Sequence, residues 1–165
     1  GGRYGYKDAG ETPNTQTTTF QYDDGAIMEF EVRGLVTNGE SVGIGNMFYG
    51  AGGWFNEGDF TFYDQTGKAI EKAPDFAAEM PKEGQPDIQY GNFLKAVRSR
   101  NKADIHGTAE EAHVSSAHCC LANIAYRVGR SLEFDPAAEK FVDCAEADAL
   151  LKEEYRAGFE PAVRS

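Results

Sequence analysis

TQTTTFQYDDGAIMEFEV, residues 15–32, sets two runs rich in β-branched and aromatic side chains on either side of Asp23-Asp24-Gly25. Such runs around an Asp-Gly turn predict a β-hairpin. In the second run Met28, Phe30 and Val32 alternate with Ile27 and Glu29, and in the first Phe20 and Tyr22 alternate with Thr19 and Gln21. One face is therefore expected to be buried and the other polar. Strand texture continues downstream. Gly34 to Gly45 reads as a long connection and Met47-Phe48-Tyr49 as a strand. After Trp54-Phe55, the short runs Phe60 to Tyr63 and Lys68 to Glu71, split by Asp64-Gln65-Thr66-Gly67, read as another hairpin. About five or six strands are expected, mainly within residues 15–71.

A proline-bearing stretch from Ala73 to Pro86 ends this pattern, and helical periodicity takes over, mainly within residues 87–154. Asp87 is placed to cap a helix on which Tyr90, Phe93, Leu94 and Val97 recur at i, i+3, i+4 and i+7, a stripe expected to face the sheet. Thr108-Ala109-Glu110-Glu111 has the form of a capping box opening a longer helix that runs to about Arg127. Val114, Ala117, Leu121, Ile124, Ala125 and Val128 gather on one side of it, and Gly129 supplies the stop. Leu132 to Phe134 reads as a short strand. A last helix is expected from Asp143, with Glu146 completing a second box and Ala147, Leu150 and Leu151 facing inward. Strands first and helices after predict an α+β fold. The expected architecture is one two-layer domain over residues 1–165, an open, mostly antiparallel β-sheet with helices packed on one face.

Composition narrows the function. The 165 residues, 41% apolar and 26% charged, have the usage of a soluble globular domain that can bury a core without disulfides or metal. No stretch approaches the roughly 20 apolar residues of a membrane helix, so no membrane partner is expected. The 27 acidic residues against 16 basic ones give a net charge of −11, which repels a nucleic-acid backbone. Lys95, Arg98, Arg100 and Lys102 gather at a helix end, where the helix dipole favours cations. Cys119, Cys120 and Cys144 are odd in number and lack disulfide-framework spacing, which favours a reducing, cytoplasmic compartment. The opening Gly1-Gly2-Arg3-Tyr4-Gly5-Tyr6 has no initiator Met and reads as the interior of a longer chain, so an export signal of the parent would fall outside it.

Catalytic signatures are sparse. Gly43-Ile44-Gly45 is followed by Gly50, the wrong spacing for a dinucleotide loop, so no cofactor-binding residue is assigned. His113 and His118 lie five residues apart and point about 140° apart on a helix, against the i, i+4 pairing that zinc prefers. His113 and Cys120 share a face but stand about 10 Å apart along the axis. No metal site is expected. His113 sits at the edge of the apolar stripe, where it is either satisfied by a carboxylate or carbonyl or turned into a pocket as acid, base or hydroxyl ligand. Cys119 and Cys120 read as helix fillers. Asp23-Asp24 and Glu110-Glu111 fall in a turn and a first helical turn, as structural carboxylates do.

Several ordered stretches together carry a resemblance. They are Glu11-Thr12-Pro13-Asn14-Thr15-Gln16 leading to Phe20, Phe30-Glu31-Val32-Arg33-Gly34-Leu35, Thr37-Asn38-Gly39-Glu40, and Gly45-Asn46-Met47-Phe48-Tyr49-Gly50. The helix core His113-Val114-Ser115-Ser116 and Leu121-Ala122-Asn123-Ile124-Ala125-Tyr126-Arg127-Val128-Gly129-Arg130 follows, then Asp135-Pro136 and Tyr155-Arg156-Ala157-Gly158-Phe159. The set resembles the bacterial-type C-terminal domain of Gfo/Idh/MocA oxidoreductases. Where members of that family carry a His after the Cys of the long helix, this chain has Cys120, and His118 takes a Leu position.

The resemblance implies a dihydrodipicolinate-reductase-like C-terminal domain in a parent enzyme whose N-terminal Rossmann domain binds NAD or NADP. Hydride would pass between the nicotinamide and a hydroxyl-bearing carbon of a sugar or cyclitol. A Lys and an Asp-His pair ahead of Gly1 would assist, so this chain would hold no catalytic residue, bind no cofactor and be inactive alone. Glu71-Lys72-Ala73-Pro74 resembles the family's Glu-Lys-Pro but follows a hairpin and carries an extra Ala. What remains is a substrate-side wall and an oligomerisation surface. Tyr4, Asn46 and His113 are expected on the substrate side. Trp54, Phe55, Phe60 and Phe62 are expected on an uncovered sheet face buried by a second copy. Two other readings use the same residues: a non-catalytic carbohydrate-binding or protein-interaction module built on the aromatic face, and a metal-dependent hydrolase built on the histidines.

Overall fold

The computed structural model describes residues 1–35, 45–70 and 88–159. The chain is α+β, with small open antiparallel sheets and α-helices. It forms two compact units, one of Gly1–Leu35 with Ala109–Ser165 and one of Val36–Thr108. The connections over residues 36–44 and 71–87, with the expected cap Asp87 and the Glu71-Lys72-Ala73-Pro74 string, lie outside the described residues.

In the first unit, β1 (Thr15–Gln21) and β2 (Ile27–Arg33) form the hairpin that residues 15–32 predict, in register from Thr15 opposite Arg33 to Gln21 opposite Ile27. Gly25, at φ 88°, closes the turn by donating its N–H to the Tyr22 carbonyl at 2.9 Å, and Asp24 accepts from the Ala26 N–H. Gln16, Thr18 and Phe20 face Val32, Phe30 and Met28 on the buried side, whereas Ile27 and the carboxylates of Glu29 and Glu31 are exposed. Alternation along both strands thus follows the sequence pattern.

Against this hairpin lies α2 (Ala109–Val128). The contact is polar at its centre: the buried Gln16 amide donates to the Ala122 carbonyl at 2.8 Å and to the Thr18 hydroxyl at 2.9 Å. Gly129, at φ 74°, ends the helix by donating to the Ala125 carbonyl. Of the expected apolar stripe Ile124 is buried and Ala117, Leu121, Ala125 and Val128 are half-buried, but Val114 at its start is 55% exposed; Ala122, outside the stripe, is buried as well. Ile124 packs with Phe141, Cys144 and Ala147 to form the core, flanked by Leu121, Val128, Leu132, Phe134 and Leu151.

The C-terminal part departs from the sequence reading. The strand expected over Leu132 to Phe134 is β6 (Phe134–Asp135), and it pairs with β7 (Lys140–Phe141), which two residues are too few to announce by periodicity. The helix expected from Asp143 is the single turn α3 (Ala145–Asp148), and its box does not form. Asp143 instead takes the left-handed φ of 48°, and Cys144 sits at the N-cap without a side-chain hydrogen bond. The Arg130 guanidinium donates to the Cys144 sulfur at 3.1 Å. Ala147 is fully buried, but Leu150 is 38% exposed rather than inward.

In the second unit, β3 (Met47–Gly50), β4 (Gly53–Asn56) and β5 (Thr61–Asp64) make a three-stranded meander. Gly53 is required where β4 meets β5, because a Cβ there would stand 2.0 Å from the Tyr63 carbonyl oxygen. The strand expected from Lys68 is reduced to one bridge between Tyr63 and Ala69 after the Asp64–Lys68 turn. The helix α1 (Ile88–Ser99) forms, but its stripe does not face a sheet: Tyr90, Phe93, Leu94 and Val97 are all exposed. Its other side is tied to the short 3-10 turn Lys102–Asp104 by the Asn92 side chain and by Lys95, 2.6 Å from Asp104.

Two substitutions probe this framework by urea or thermal unfolding. Asp143→Gly, which relieves a left-handed non-glycine residue, is expected to raise stability by about 0.5–1 kcal/mol. Gln16→Ala, which removes the amide between hairpin and helix, is expected to lower it by about 1–2 kcal/mol. A Gln16→Ala protein with unchanged stability would show that apolar packing alone joins the two layers.

Candidate functional site

Two histidines on α2 are held in different ways. His118 donates from Nδ1 to the Val114 carbonyl at 2.9 Å, one turn back, which leaves Nε2 to accept from the Tyr22 hydroxyl at 2.9 Å. Phe20 packs edge-on against its ring at 5.1 Å between centroids. The side chain therefore pins the end of β1 to the helix. His113 instead reaches Glu139 with its Nε2 2.8 Å from Oε1. Both members of that pair are more than half exposed, and an ion pair so open to water adds little to stability. Neither the Tyr22–His118 pair nor Glu139 was legible in the sequence, because each contact joins residues far apart in the chain.

Tyr4, the second residue expected on the substrate side, is in the same unit. Its backbone is clamped by the buried Asn14 side chain, which accepts from the Tyr4 N–H at 3.0 Å and donates to its carbonyl at 2.9 Å. The ring itself is 55% exposed. Next to it Arg3 forks onto the Asp8 carboxylate and donates to the Thr12 carbonyl at 2.9 Å. The hydrogen bond that Arg3 donates to Asp8 is the main cause that raises Arg3 above its ordinary pKa, and the same bond lowers Asp8.

Asn46 belongs to the second unit, where its side chain donates to Glu57 and its carbonyl accepts from the Glu57 N–H at 3.0 Å. Beside it, the meander sorts the aromatic residues onto two faces. Phe48, Phe55 and Phe62 lie across from one another on one face, with Phe55 to Phe62 centroids 4.6 Å apart and Phe60 edge-on to Phe55. Tyr49, Trp54 and Tyr63 form the opposite row, in which Trp54 stacks on Tyr63 at 3.9 Å and 9°. Strand alternation thus puts Trp54 on the face opposite Phe55 and Phe62. The Phe row is open at Phe48, 59% exposed, and the Tyr-Trp row at Tyr49, 76% exposed.

Two shallow surface grooves lie on single helices, one along Gly91, Leu94, Lys95, Arg98 and Ser99 and one along Glu110, Glu111, Val114 and Ser115. Among the described residues no three His, Cys, Asp or Glu side chains come together as a metal site. Among them too, no helix is long and apolar enough to cross a membrane.

A family model described as "Oxidoreductase family, C-terminal alpha/beta domain", that of the Gfo/Idh/MocA proteins, matches residues 16–161. The chain belongs to this family. Comparison with curated proteins and with solved structures finds no match.

Full-length Gfo/Idh/MocA proteins are generally associated with NAD(P), supplied with its own N-terminal domain. Two features of this C-terminal domain oppose that cofactor where the sequence invites it. A pyrophosphate binds where a helix N-terminus offers free amides and positive dipole, but α2 opens with Glu110 and Glu111, whose charge opposes it. Gly45 and Gly50 bracket the strand residues of β3 rather than a strand-to-helix turn.

The Asp64 turn of this family member gives a pH-dependent handle. Asp64 accepts from the Thr66 hydroxyl at 2.6 Å, the Thr66 N–H at 2.8 Å and the Lys68 N–H at 3.1 Å. The Thr66 hydroxyl bond, then the backbone donors, hold its carboxyl below the ordinary value. A depressed pKa contributes stability that is complete above the unfolded value, about 3.9, and is lost as pH falls through the folded one. Protection of the Thr66 and Lys68 amides, relative to their intrinsic exchange rates, is expected to fall below about pH 4 and to be low at all pH values in Asp64→Ala. Constant protection down to pH 2 would remove the carboxylate from the turn.

Proposed function

We propose that residues 1–165 serve as the substrate-side and oligomerisation domain of an NAD(P)-dependent dehydrogenase acting on a sugar or cyclitol hydroxyl. Nucleotide binding and proton transfer then belong to a Rossmann domain that precedes it in the parent enzyme. The family match supports the oxidoreductase class. The observation that carries the rest is the two-faced aromatic meander. Phe48, Phe55, Phe60 and Phe62 make a row without polar atoms, and Phe48 and Phe60 are 59% and 42% exposed. An apolar row of this kind is the chemistry of a surface buried between copies. On the other face Tyr49, Trp54 and Tyr63 carry polar tips, as a surface in contact with a hydroxylated ligand or with water requires.

In this reading Tyr4 and His113 of the first unit are substrate-side residues, and Asn46 is a candidate of the second unit by itself. Tyr4 and His113 are exposed; the backbone of Tyr4 is clamped by Asn14, and the ring of His113 is held by Glu139. Asn46 is oriented by Glu57. For His113 and Asn46, a side chain already held reduces the rotamer entropy that ligand binding would otherwise cost.

Two measurements test the proposal. Light scattering is expected to report at least a dimer, and Phe48→Lys, at an exposed position on the Phe row, is expected to shift it to monomer while leaving the far-ultraviolet spectrum unchanged. A strict monomer at high concentration would refute the interface. NADH added to this chain is expected to give no saturable fluorescence change, whereas the full-length enzyme oxidises a polyol with NAD or NADP. Micromolar NADH binding by residues 1–165 alone would return the nucleotide site to this chain.

A further inference from the structure

We infer that His113 and Glu139 form a hydroxyl-binding pair for a neutral polyol, in which Glu139 fixes the imidazole and Nδ1 of His113 takes the ligand hydroxyl. The inference rests on the dehydrogenase reading above and assigns atoms within it. A carboxylate oxygen only accepts, so the 2.8 Å contact from Nε2 to Glu139 Oε1 sets the hydrogen on Nε2. In the neutral ring Nδ1 is then an acceptor. Among the described residues nothing occupies it. His118, on the same helix, supplies the contrast, since the Val114 carbonyl and the Tyr22 hydroxyl engage both of its nitrogens. One histidine is closed by the fold and the other is left with an open nitrogen.

The position of Glu139 points the same way. It ends the turn Asp135-Pro136-Ala137-Ala138-Glu139, in which Asp135 accepts from the Ala137 and Ala138 N–H groups at 2.8 and 3.1 Å. Glu139 itself has φ 50°, a left-handed conformation that glycine adopts without strain and a carboxylate-bearing residue does not. An ion pair more than half exposed does not repay that strain in stability. The carboxylate is therefore placed by the turn and the core behind it rather than by the ion pair, and from that place it can orient the imidazole. Glu110, three residues before His113 on the same helical face, adds a second carboxylate to the neighbourhood. That charge disfavours a phosphorylated or otherwise anionic sugar and leaves an uncharged polyol as the fitting class.

Nitrogen-15 spectra of the imidazoles in this 165-residue chain, titrated with myo-inositol, D-glucose and D-glucose 6-phosphate, test the assignment. Either neutral polyol is expected to move the His113 Nδ1 resonance with a midpoint of about 1–100 mM, and the His118 resonances should stay fixed. The phosphorylated sugar should leave both in place. Glu139→Gln keeps the shape but loses the charge, and is expected to weaken the His113 response about 10-fold. Glu139→Asp should restore part of it. The backbone amide spectrum reports that each variant is folded. A His113 resonance unmoved by either polyol, a Glu139→Gln titration equal to the unsubstituted one, or a preference for the phosphorylated sugar would overturn the proposal. In the full-length enzyme Glu139→Gln is expected to raise KM for the polyol about 10-fold with kcat nearly unchanged. Polyol oxidation with an unaltered KM would sink the His113–Glu139 assignment and leave the dehydrogenase reading intact. A full-length enzyme that oxidises no polyol, with the His113 shift still present, would sink the dehydrogenase reading and leave the pair.

Discussion

The buried amide of Gln16 is the joint on which the first unit depends. Its hydrogen bond to the Ala122 carbonyl links residues 106 positions apart, and among the described residues it is the buried polar side chain that spans hairpin and helix. The apolar core beneath is small, with Ile124, Phe141, Cys144 and Ala147 as its buried members. In so small a core, registration between layers cannot come from side-chain interdigitation alone, and a directional bond to a fixed carbonyl sets the position of β1 along α2. Tyr22 and His118 repeat the device at the far end of the strand. Two points of attachment define a line, so the hairpin cannot rotate on the helix without breaking one of them.

The same economy explains the meander of the second unit. Cross-strand pairs are the unit of sheet stabilisation, and here the two central pairs of each ladder are aromatic: Phe48 with Phe55, Tyr49 with Trp54, Phe55 with Phe62, Trp54 with Tyr63. Three strands of four residues hold few backbone bonds, and the ring contacts make up the difference. Alternation then dictates that a strand with adjacent aromatics such as Trp54-Phe55 must present one to each face. The two rows differ in chemistry because their tips differ. Hydroxyl and indole N–H groups tolerate water, and phenyl rings do not.

Local signals carried most of what was legible in the sequence. The hairpin over residues 15–32, the long helix with Gly129 as its stop, and the Asp64 turn are all specified by neighbours within a few positions. What escaped was set by distance or by conformation. The β6–β7 pair is two residues long on each side, below any periodic pattern. The box predicted at Asp143 and Glu146 failed because the backbone at Asp143 is left-handed, and the cap position passes to Cys144 beside Arg130. The helix α1 was foreseen as an element, but its stripe was assigned a sheet that does not cover it among the described residues. For the candidate site, His113 stood out through its place on the helix, while its partner Glu139 carried no signal, since a carboxylate at a turn is the commonplace expectation.

Glu139 and Asp143, two left-handed non-glycine residues, fall within five positions of each other, and between them the chain is held by the core rather than by the turn. Phe141 is 7% exposed and packs edge-on against Phe134, and its N–H is taken by the Asp148 carboxylate at 2.8 Å. Val142 donates in turn to the Glu133 carbonyl at 2.9 Å. Strained dihedrals persist only where surroundings over-determine them, and here the buried ring of Phe141 is the constraint on both sides. The ion pair with His113 is therefore a consequence of where the core puts Glu139 and not its cause. A carboxylate delivered to a helix surface by a buried phenylalanine keeps its place whether or not the histidine is there to meet it, which is the condition for orienting a side chain rather than merely pairing with it.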